Sequence, residues 1–304
     1  GATDTVLATV KHFAGYGAAQ AGRDYHTVDI SERTLRDVYL PPFKAAIDAG
    51  VGSIMTSFNE YDGVPASGSK YLLTDVLRDQ WGFDGFVVTD YTSINEMVAH
   101  GYSKDLEQAG EQALDVGVDM DLQGAVFLEN LAGSIAAGRV SMDQVDTATR
   151  RVLEMKYRLG LFEDPYRYAD NARQEATLYK PEFLEAARDV ARKSMVLLKN
   201  EGDTLPLAAG AQSIALIGPL ADSKPDMIGS WAAAGDRQTR PVTVLEGFKA
   251  RAGRGVRVEY AKGASYEFDA EGKTDGFAEA LAVADRSDVI VAVMGEKWDM
   301  TGEA

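Results

Sequence analysis

The 304-residue sequence carries 47 Asp and Glu against 31 Lys and Arg, giving a formal net charge of −16. Such a charge repels phosphate backbones and argues against nucleic acid as a partner. Hydrophobic residues make up 45% of the chain, enough for one large or two medium cores, and the absence of Cys excludes thiolate metal sites, a Cys nucleophile and disulfides. No apolar run approaches the roughly 20 residues of a membrane-spanning helix.

Four short apolar segments in the first half are typical of buried parallel strands, because each is followed by a longer helical pattern. Their expected ends, His12, Ser57, Asp90 and Asp121, are separated by 45, 33 and 31 residues. A (β/α)8 barrel of about 250 residues has about 31 residues per unit. We therefore predict an α/β fold that begins with the C-terminal half of a TIM-like barrel, and we expect the other half upstream of residue 1. The predicted strands lie near 6–10, 51–57, 85–90 and 117–122.

Caps and apolar stripes mark the helices of this half. Ser31 with Thr34 predicts one helix start, and Ser141 predicts the start of a long last helix that ends before Gly160. Two further helices are predicted over 72–81 and 106–115. The partial barrel is therefore expected to span 1–160.

An interdomain linker and a second domain are predicted after the barrel. The stretch 161–182 lacks clear periodicity, which indicates a linker. Alternating strand and helix patterns over 183–304 predict part of an α/β/α sandwich with a partly parallel sheet. Its predicted elements are a helix over 182–199, strands over 213–217, 256–260 and 289–294, and a helix over 276–284.

Asp90 is the first candidate for chemistry, because it ends the apolar run 85–89 and the carboxyl ends of barrel strands carry active sites. An Asp there is also typical of a turn or of a helix N-cap. Lys11 and His12 end the first predicted strand on the same barrel face. Adjacent strand residues point to opposite faces unless a bulge intervenes, so a strand end or bulge is needed for both to reach one pocket.

Several motifs resemble glycoside hydrolase family 3, in particular its periplasmic β-glucosidase branch. The resemblance covers nearly the whole chain, and the motifs follow the family's order at comparable spacing. They are Lys11-His12-Phe13, the stretch 57–66 (SFNEYDGVPA), 77–83 (LRDQWGF) leading into 85–91, the stretch 150–162, and 194–200 (SMVLLKN) continuing to Leu205-Pro206-Leu207.

The resemblance implies a retaining, exo-acting β-glycosidase that releases terminal β-D-glucosyl residues by double displacement. Asp90 matches the family's nucleophile, and Lys11 and His12 match a pair that hydrogen-bonds sugar hydroxyls. Met55 is expected to line the sugar pocket, although core packing is an alternative for it. Tyr91 stands where some relatives have Trp, and it is expected to stack on the sugar.

The acid/base is expected from the second domain. The family's glutamate lies in a loop several residues beyond a Gly-Glu pair that ends a strand, which selects Glu303 here and leaves Glu296 as the alternative. Retaining enzymes hold the two carboxyl groups roughly 5 to 5.5 Å apart.

Alternative activities, the expected ligands and the expected location follow from the same residues and the same resemblance. A β-xylosidase or broad exo-glycosidase is the nearest alternative activity, and a non-catalytic carbohydrate-binding relative is the alternative of another class. We expect a small carbohydrate substrate, no cofactor and no metal, because Asp119 and Asp121 point to opposite faces of their segment. His26 and His100 are isolated in the sequence. The branch resemblance implies a periplasmic location, with cytoplasmic or secreted alternatives.

Overall fold

The computed structural model describes residues 2–207, 210–232, 240–266 and 272–300. The chain divides into two compact units, Gly1–Lys180 and Pro181–Ala304. This division falls near the end of the expected linker 161–182, whose first twenty residues group with the first unit. The finer boundaries at 160 and 183 stay predictions.

A parallel three-stranded sheet is central to the first unit. Its strands are β1 Thr9–Phe13, β2 Ser53–Thr56 and β5 Phe86–Val88, in the order β1-β2-β5, and a short hairpin of β3 Glu60–Tyr61 and β4 Val64–Pro65 lies beside them in sequence. Three of the four predicted strands are therefore confirmed, and so is the α/β class with parallel sheets.

The first strand begins later than predicted. Val6 is apolar but 88% exposed, and pairing with β2 begins only at Thr9, so the prediction of a strand over 6–10 is wrong in its bounds. The register of β1 also shifts, because Val10 pairs with Ile54 whereas Phe13 pairs with Thr56. A β-bulge of this kind sets two residues of one strand against one residue of its neighbour.

The fourth predicted strand, 117–122, forms only a single parallel bridge, between Val88 and Met120. The cause is a side chain, because the Asp119 carboxylate accepts the Val87 N–H at 2.8 Å. That N–H is consequently unavailable to a backbone carbonyl of the segment. The segment still follows β5, since Thr89 N–H donates to the Met120 carbonyl at 2.9 Å.

Helices follow the strands of the first unit, and their starts match the predicted caps. Ser31 Oγ accepts the Thr34 N–H at 3.1 Å, and Ser141 forms a reciprocal capping box with Gln144. The helices are α1 Glu32–Thr34, continued by the π-helical turn Leu35–Tyr39, α2 Pro41–Asp48, the π-helical segment Tyr71–Gln80, α3 Ser93–Ala99, α4 Leu106–Asp115, α5 Val126–Ala136, α6 Met142–Arg158 and α7 Asn171–Thr177.

One large apolar core lies between this sheet and the helices that follow its strands. Burial of this much apolar surface is the main force that holds the strand ends in place. The largest fully buried side chains include Phe13, Leu35, Ile54, Leu72, Leu77, Ile94 and Met97.

The second unit is a separate α/β layer with a parallel sheet of order β7-β6-β8. Its elements are α8 Pro181–Ser194, β6 Ser213–Ile217, α9 Val244–Arg251, β7 Arg257–Ala261, α10 Phe277–Asp285 and β8 Val289–Ala292. The three predicted strands are confirmed. The helix predicted to reach residue 199 ends at Ser194, whose hydroxyl donates to the Ala191 carbonyl at 2.8 Å. Within the described ranges, no helix is long and apolar enough to cross a membrane.

Candidate active site

The bulge in β1 brings together three of the predicted site residues. Lys11 and His12 fall between the pairs Val10–Ile54 and Phe13–Thr56, so both stand opposite Met55 of β2. Met55 in turn pairs with Val88 of β5, two residues before Asp90. Because the strands are parallel, these positions lie toward the same carboxyl edge of the sheet.

Asp90 and His12 are in direct contact. His12 Nε2 lies 3.0 Å from Asp90 Oδ2, and the Tyr91 N–H donates to Oδ1 of the same carboxylate at 2.7 Å. Each carboxylate oxygen therefore has one donor. Asp90 is only 8% exposed, so the carboxylate stands in a largely desolvated position where a charge must be matched by donors.

The pKa of Asp90 is lowered from its usual value. Burial acts to raise this pKa, but the hydrogen bonds from His12 and the Tyr91 N–H, together with the electrostatic influence of His12 and Lys11, outweigh it. Hydrogen bonds to the charged form and nearby cations both favour ionisation. The donors around Asp90 therefore favour the ionised form of a nearly buried carboxylate.

Buried hydroxyl groups fix the segment that carries Asp90. Thr56 Oγ1 lies 2.7 Å from Ser67 Oγ, and Ser67 Oγ lies 2.7 Å from Ser93 Oγ. The Ser93 N–H also donates to the Asp90 carbonyl at 3.2 Å. The end of β2, the turn at 66–68 and the start of α3 are thereby joined to one another. No sequence motif marks this set of hydroxyl residues as part of the site.

Tyr91 and Lys11 stand on the accessible side of the site. Tyr91 is 58% exposed, and Lys11 is exposed as well, while Met55 is half-buried. Tyr91 therefore presents an exposed aromatic ring next in sequence to the buried carboxylate. Met55 contributes apolar surface at the bulge, and its half-burial leaves part of that surface open.

Asp119 and Asp121 have structural partners. Asp119 is buried against Arg78 and Arg151, at 2.8 Å from each guanidinium. Asp121 Oδ2 accepts the Val126 N–H at 2.6 Å, at the start of α5. Among the described residues, no group of three or more His, Asp or Glu side chains is arranged to hold a metal ion.

His26 and His100 lie far apart in sequence yet line one cavity. The cavity has a volume of about 480 Å³ and is also bordered by Tyr25, Thr27 and Glu96. Tyr25 packs against Phe58 with ring centroids 4.5 Å apart. The two histidines therefore belong to one surface of the first unit.

Glu303 lies outside the described residues. Glu296, its alternative, is exposed and follows β8 in the second unit. The next residues are held within that unit, because the Trp298 N–H donates to Asp226 Oδ1 at 2.6 Å and Lys297 pairs with Asp299 at 3.3 Å.

Two family models match the sequence. The glycosyl hydrolase family 3 N terminal domain matches residues 2–155, and the glycosyl hydrolase family 3 C-terminal domain matches residues 195–304. The chain therefore belongs to glycosyl hydrolase family 3, which confirms the resemblance found in the motifs.

Individual relatives agree with this assignment. The chain is 42% identical to the periplasmic beta-glucosidase of Salmonella typhimurium over 99% of the chain and 42% of that protein. It is 38% identical to a beta-xylosidase of Formosa agariphila over 98% of the chain and 42% of that protein. A mutant beta-glucosidase from Listeria innocua, solved in complex with laminaribiose, superposes with a TM-score of 0.80 at 37% identity, over 99% of the chain and 40% of that protein. The chain spans about two fifths of the length of these relatives.

Proposed function

We propose that the complete protein is a retaining, exo-acting β-glycosidase that hydrolyses terminal non-reducing β-D-glucosyl residues. The observation that carries the proposal is Asp90, an almost buried carboxylate just beyond the carboxyl end of β5, which lies 3.0 Å from His12 Nε2 in a family 3 chain. The relatives from Salmonella typhimurium and Listeria innocua, both called beta-glucosidases, support glucosides as the substrate class.

Asp90 is the nucleophile in this proposal. Its carboxylate attacks the anomeric carbon, the glycosidic bond breaks, and a covalent glycosyl-enzyme forms that water then hydrolyses. The lowered pKa of Asp90 supports this role, because a nucleophile must be ionised at the working pH. Its two hydrogen-bond donors, His12 and the Tyr91 N–H, hold the carboxylate in one orientation.

The remaining site residues bind the sugar. Lys11 and His12 form hydrogen bonds with sugar hydroxyl groups, Tyr91 offers an exposed ring for stacking, and Met55 provides apolar surface. The positions of these residues support the proposed sugar-binding roles, because the β1 bulge sets Lys11 and His12 opposite Met55, near Asp90.

Glu303 is the proposed acid/base, which protonates the leaving oxygen and later activates water. The sequence position of Glu303, in the loop beyond Gly295-Glu296, supports the choice over Glu296. Glu303→Ala should retain slow turnover of activated aryl glycosides, and azide should rescue it. Glu296→Ala is the matched control; azide rescue in that variant alone would transfer the role to Glu296.

Labelling with a 2-fluoro-glucoside tests the nucleophile directly. Mass spectrometry of the complete protein should find the covalent adduct on the peptide that contains Asp90, and Asp90→Asn should abolish both labelling and turnover. Asp84→Asn is a suitable control, because its side chain is 73% exposed and precedes the same strand. Turnover at the wild-type level in Asp90→Asn would refute the assignment, and binding without labelling would indicate a non-catalytic carbohydrate-binding protein.

A β-xylosidase activity is the second candidate, supported by the beta-xylosidase relative at 38% identity. The ratio of kcat/KM for aryl β-glucoside and aryl β-xyloside distinguishes the two. We also propose a periplasmic location, on the strength of the Salmonella typhimurium relative's name. Cell fractionation with activity assays checks it.

A further inference from the structure

Tyr16 packs directly against the histidine that contacts Asp90. The ring centroids of Tyr16 and His12 are 5.2 Å apart, and the ring planes are tilted by 54°. This spacing is within the range of favourable aromatic contacts. His12 therefore contacts both the Tyr16 ring and the Asp90 carboxylate, whose Oδ2 lies 3.0 Å from Nε2.

Tyr16 is itself held in place. Its ring lies 6.3 Å from that of Phe58, which is 6% exposed and packs in turn on Tyr25. The backbone turns tightly at Gly15, whose φ is 85°, and the Ala18 N–H donates to the Gly15 carbonyl at 2.9 Å. The ring beside His12 thus belongs to a fixed turn and a packed aromatic cluster.

The Tyr16 hydroxyl does not explain this arrangement. It is buried and has no hydrogen-bond partner among the described residues. A buried hydroxyl without a partner is unfavourable compared with an apolar group of the same shape. The contact that Tyr16 makes in the site is therefore the packing of its ring against His12.

We propose that Tyr16 is a positioning residue for the reaction at Asp90, whose ring restricts the His12 imidazole to the orientation that places Nε2 against Oδ2. This inference rests on the proposed role of Asp90. The second torsion of a histidine side chain is broad and roughly two-fold, so the imidazole needs a neighbouring surface to define its rotation. Tyr16 supplies that surface.

Loss of the ring should be visible at Asp90. Among the described residues, the titratable side chains that act on the Asp90 carboxylate are His12 and Lys11, both on β1, and the Tyr91 N–H is its backbone donor. If the imidazole rotates away, the burial of Asp90 remains while one donor is lost. The carboxylate then needs a higher pH to ionise.

The test is the pH profile of kcat/KM in the complete protein with an activated aryl β-glucoside. Tyr16→Leu should shift the acid limb to higher pH and lower kcat by roughly ten- to a hundredfold, the range expected for a misplaced catalytic group. KM should change less than kcat. Tyr16→Phe retains the ring and should restore the wild-type acid limb.

A core variant separates positioning from general destabilisation. Val76→Ala removes buried volume from the same unit, lowers Tm and should leave the acid limb in place. An acid limb in Tyr16→Leu that coincides with the wild type overturns the proposal, and so does an equal shift in Tyr16→Phe, which would assign the effect to the hydroxyl. The 2-fluoro label keeps the two proposals apart: labelling of Asp90 together with an unmoved limb refutes the role of Tyr16 only, whereas absence of the label refutes the role of Asp90.

Discussion

Substitution Asp119→Ala should destabilise the first unit strongly. The Asp119 side chain is fully buried, and its carboxylate accepts hydrogen bonds from Arg78, Arg151 and the Val87 N–H, each at 2.8 Å. Burial raises the pKa of Asp119 in spite of these donors, and burial likewise lowers the pKa of Arg78 to about 10 in spite of Asp119. For each group, the partner therefore opposes the burial that disfavours its charged form.

The expected loss follows from which groups lose a partner. The Arg78 side chain is 11% exposed and would be left as a buried cation, which costs roughly 3–5 kcal/mol when one member of a buried pair is removed. The Arg151 side chain is 29% exposed, so water can replace much of its interaction. We expect a total of about 4 kcal/mol in the free energy of unfolding.

Urea unfolding of the complete protein, followed by circular dichroism, measures this loss. Asp84→Ala is the control, because its pair with Arg158 is exposed and is worth at most about 1 kcal/mol. The double variant Asp119→Ala/Arg78→Met should lose less than the two single variants added together, since it removes the buried cation. A loss below about 1 kcal/mol in Asp119→Ala, with no coupling to Arg78, would refute the reasoning.

Three further predictions concern the site, a cap and two glycines. The lowered pKa of Asp90 favours its ionised form as the pH falls through the ordinary Asp value of about 3.9. His12→Ala removes one donor while burial still raises that pKa, so the acid limb of kcat/KM should move to higher pH. An acid limb that does not move would contradict a role of the His12 contact in ionising Asp90. Ser141→Ala removes a capping box and should cost about 1 kcal/mol in urea unfolding, whereas no change would show that the cap is dispensable. Gly85→Ala would place a Cβ 2.3 Å from the Gly52 carbonyl oxygen, just before β2, and should lower Tm. Gly247→Ala has open space around the new Cβ inside α9 and should raise the free energy of unfolding by roughly 0.5–1 kcal/mol. Equal effects of the two substitutions would contradict the packing argument.

Short apolar runs with clear boundaries predicted the sheet well. The prediction of 213–217 matches β6 Ser213–Ile217, because that run is buried along its length and turns bound it. The strand predictions were wrong where an apolar segment does not form the expected strand pairing. Val6 is apolar without being buried, and 117–122 has strand-like residues whose pairing is replaced by the Asp119 carboxylate. Neither effect is visible in hydrophobic periodicity.

The polar residues of the candidate site could be predicted from the sequence, whereas the residues that position them could not. Asp90, Lys11 and His12 are marked in the sequence by their places at strand ends, and the need for a bulge follows from strand alternation. The Thr56–Ser67–Ser93 hydroxyl chain and the ring of Tyr16 depend on contacts between segments distant in sequence, for which single-residue patterns carry no signal. A Tyr between Gly15 and Gly17 was the available hint.

The bulge in β1 acts as a phase shift in the alternation of side chains along the strand. Deletion of Lys11 would restore a regular ladder with β2, and the sheet could still form. The same deletion would rotate His12 relative to its neighbours, since a shift of one residue moves a side chain to the opposite face. A deletion that leaves the strand pairing nearly intact would therefore alter the contact between His12 and Asp90, so that the number of residues in β1 helps to define the candidate site.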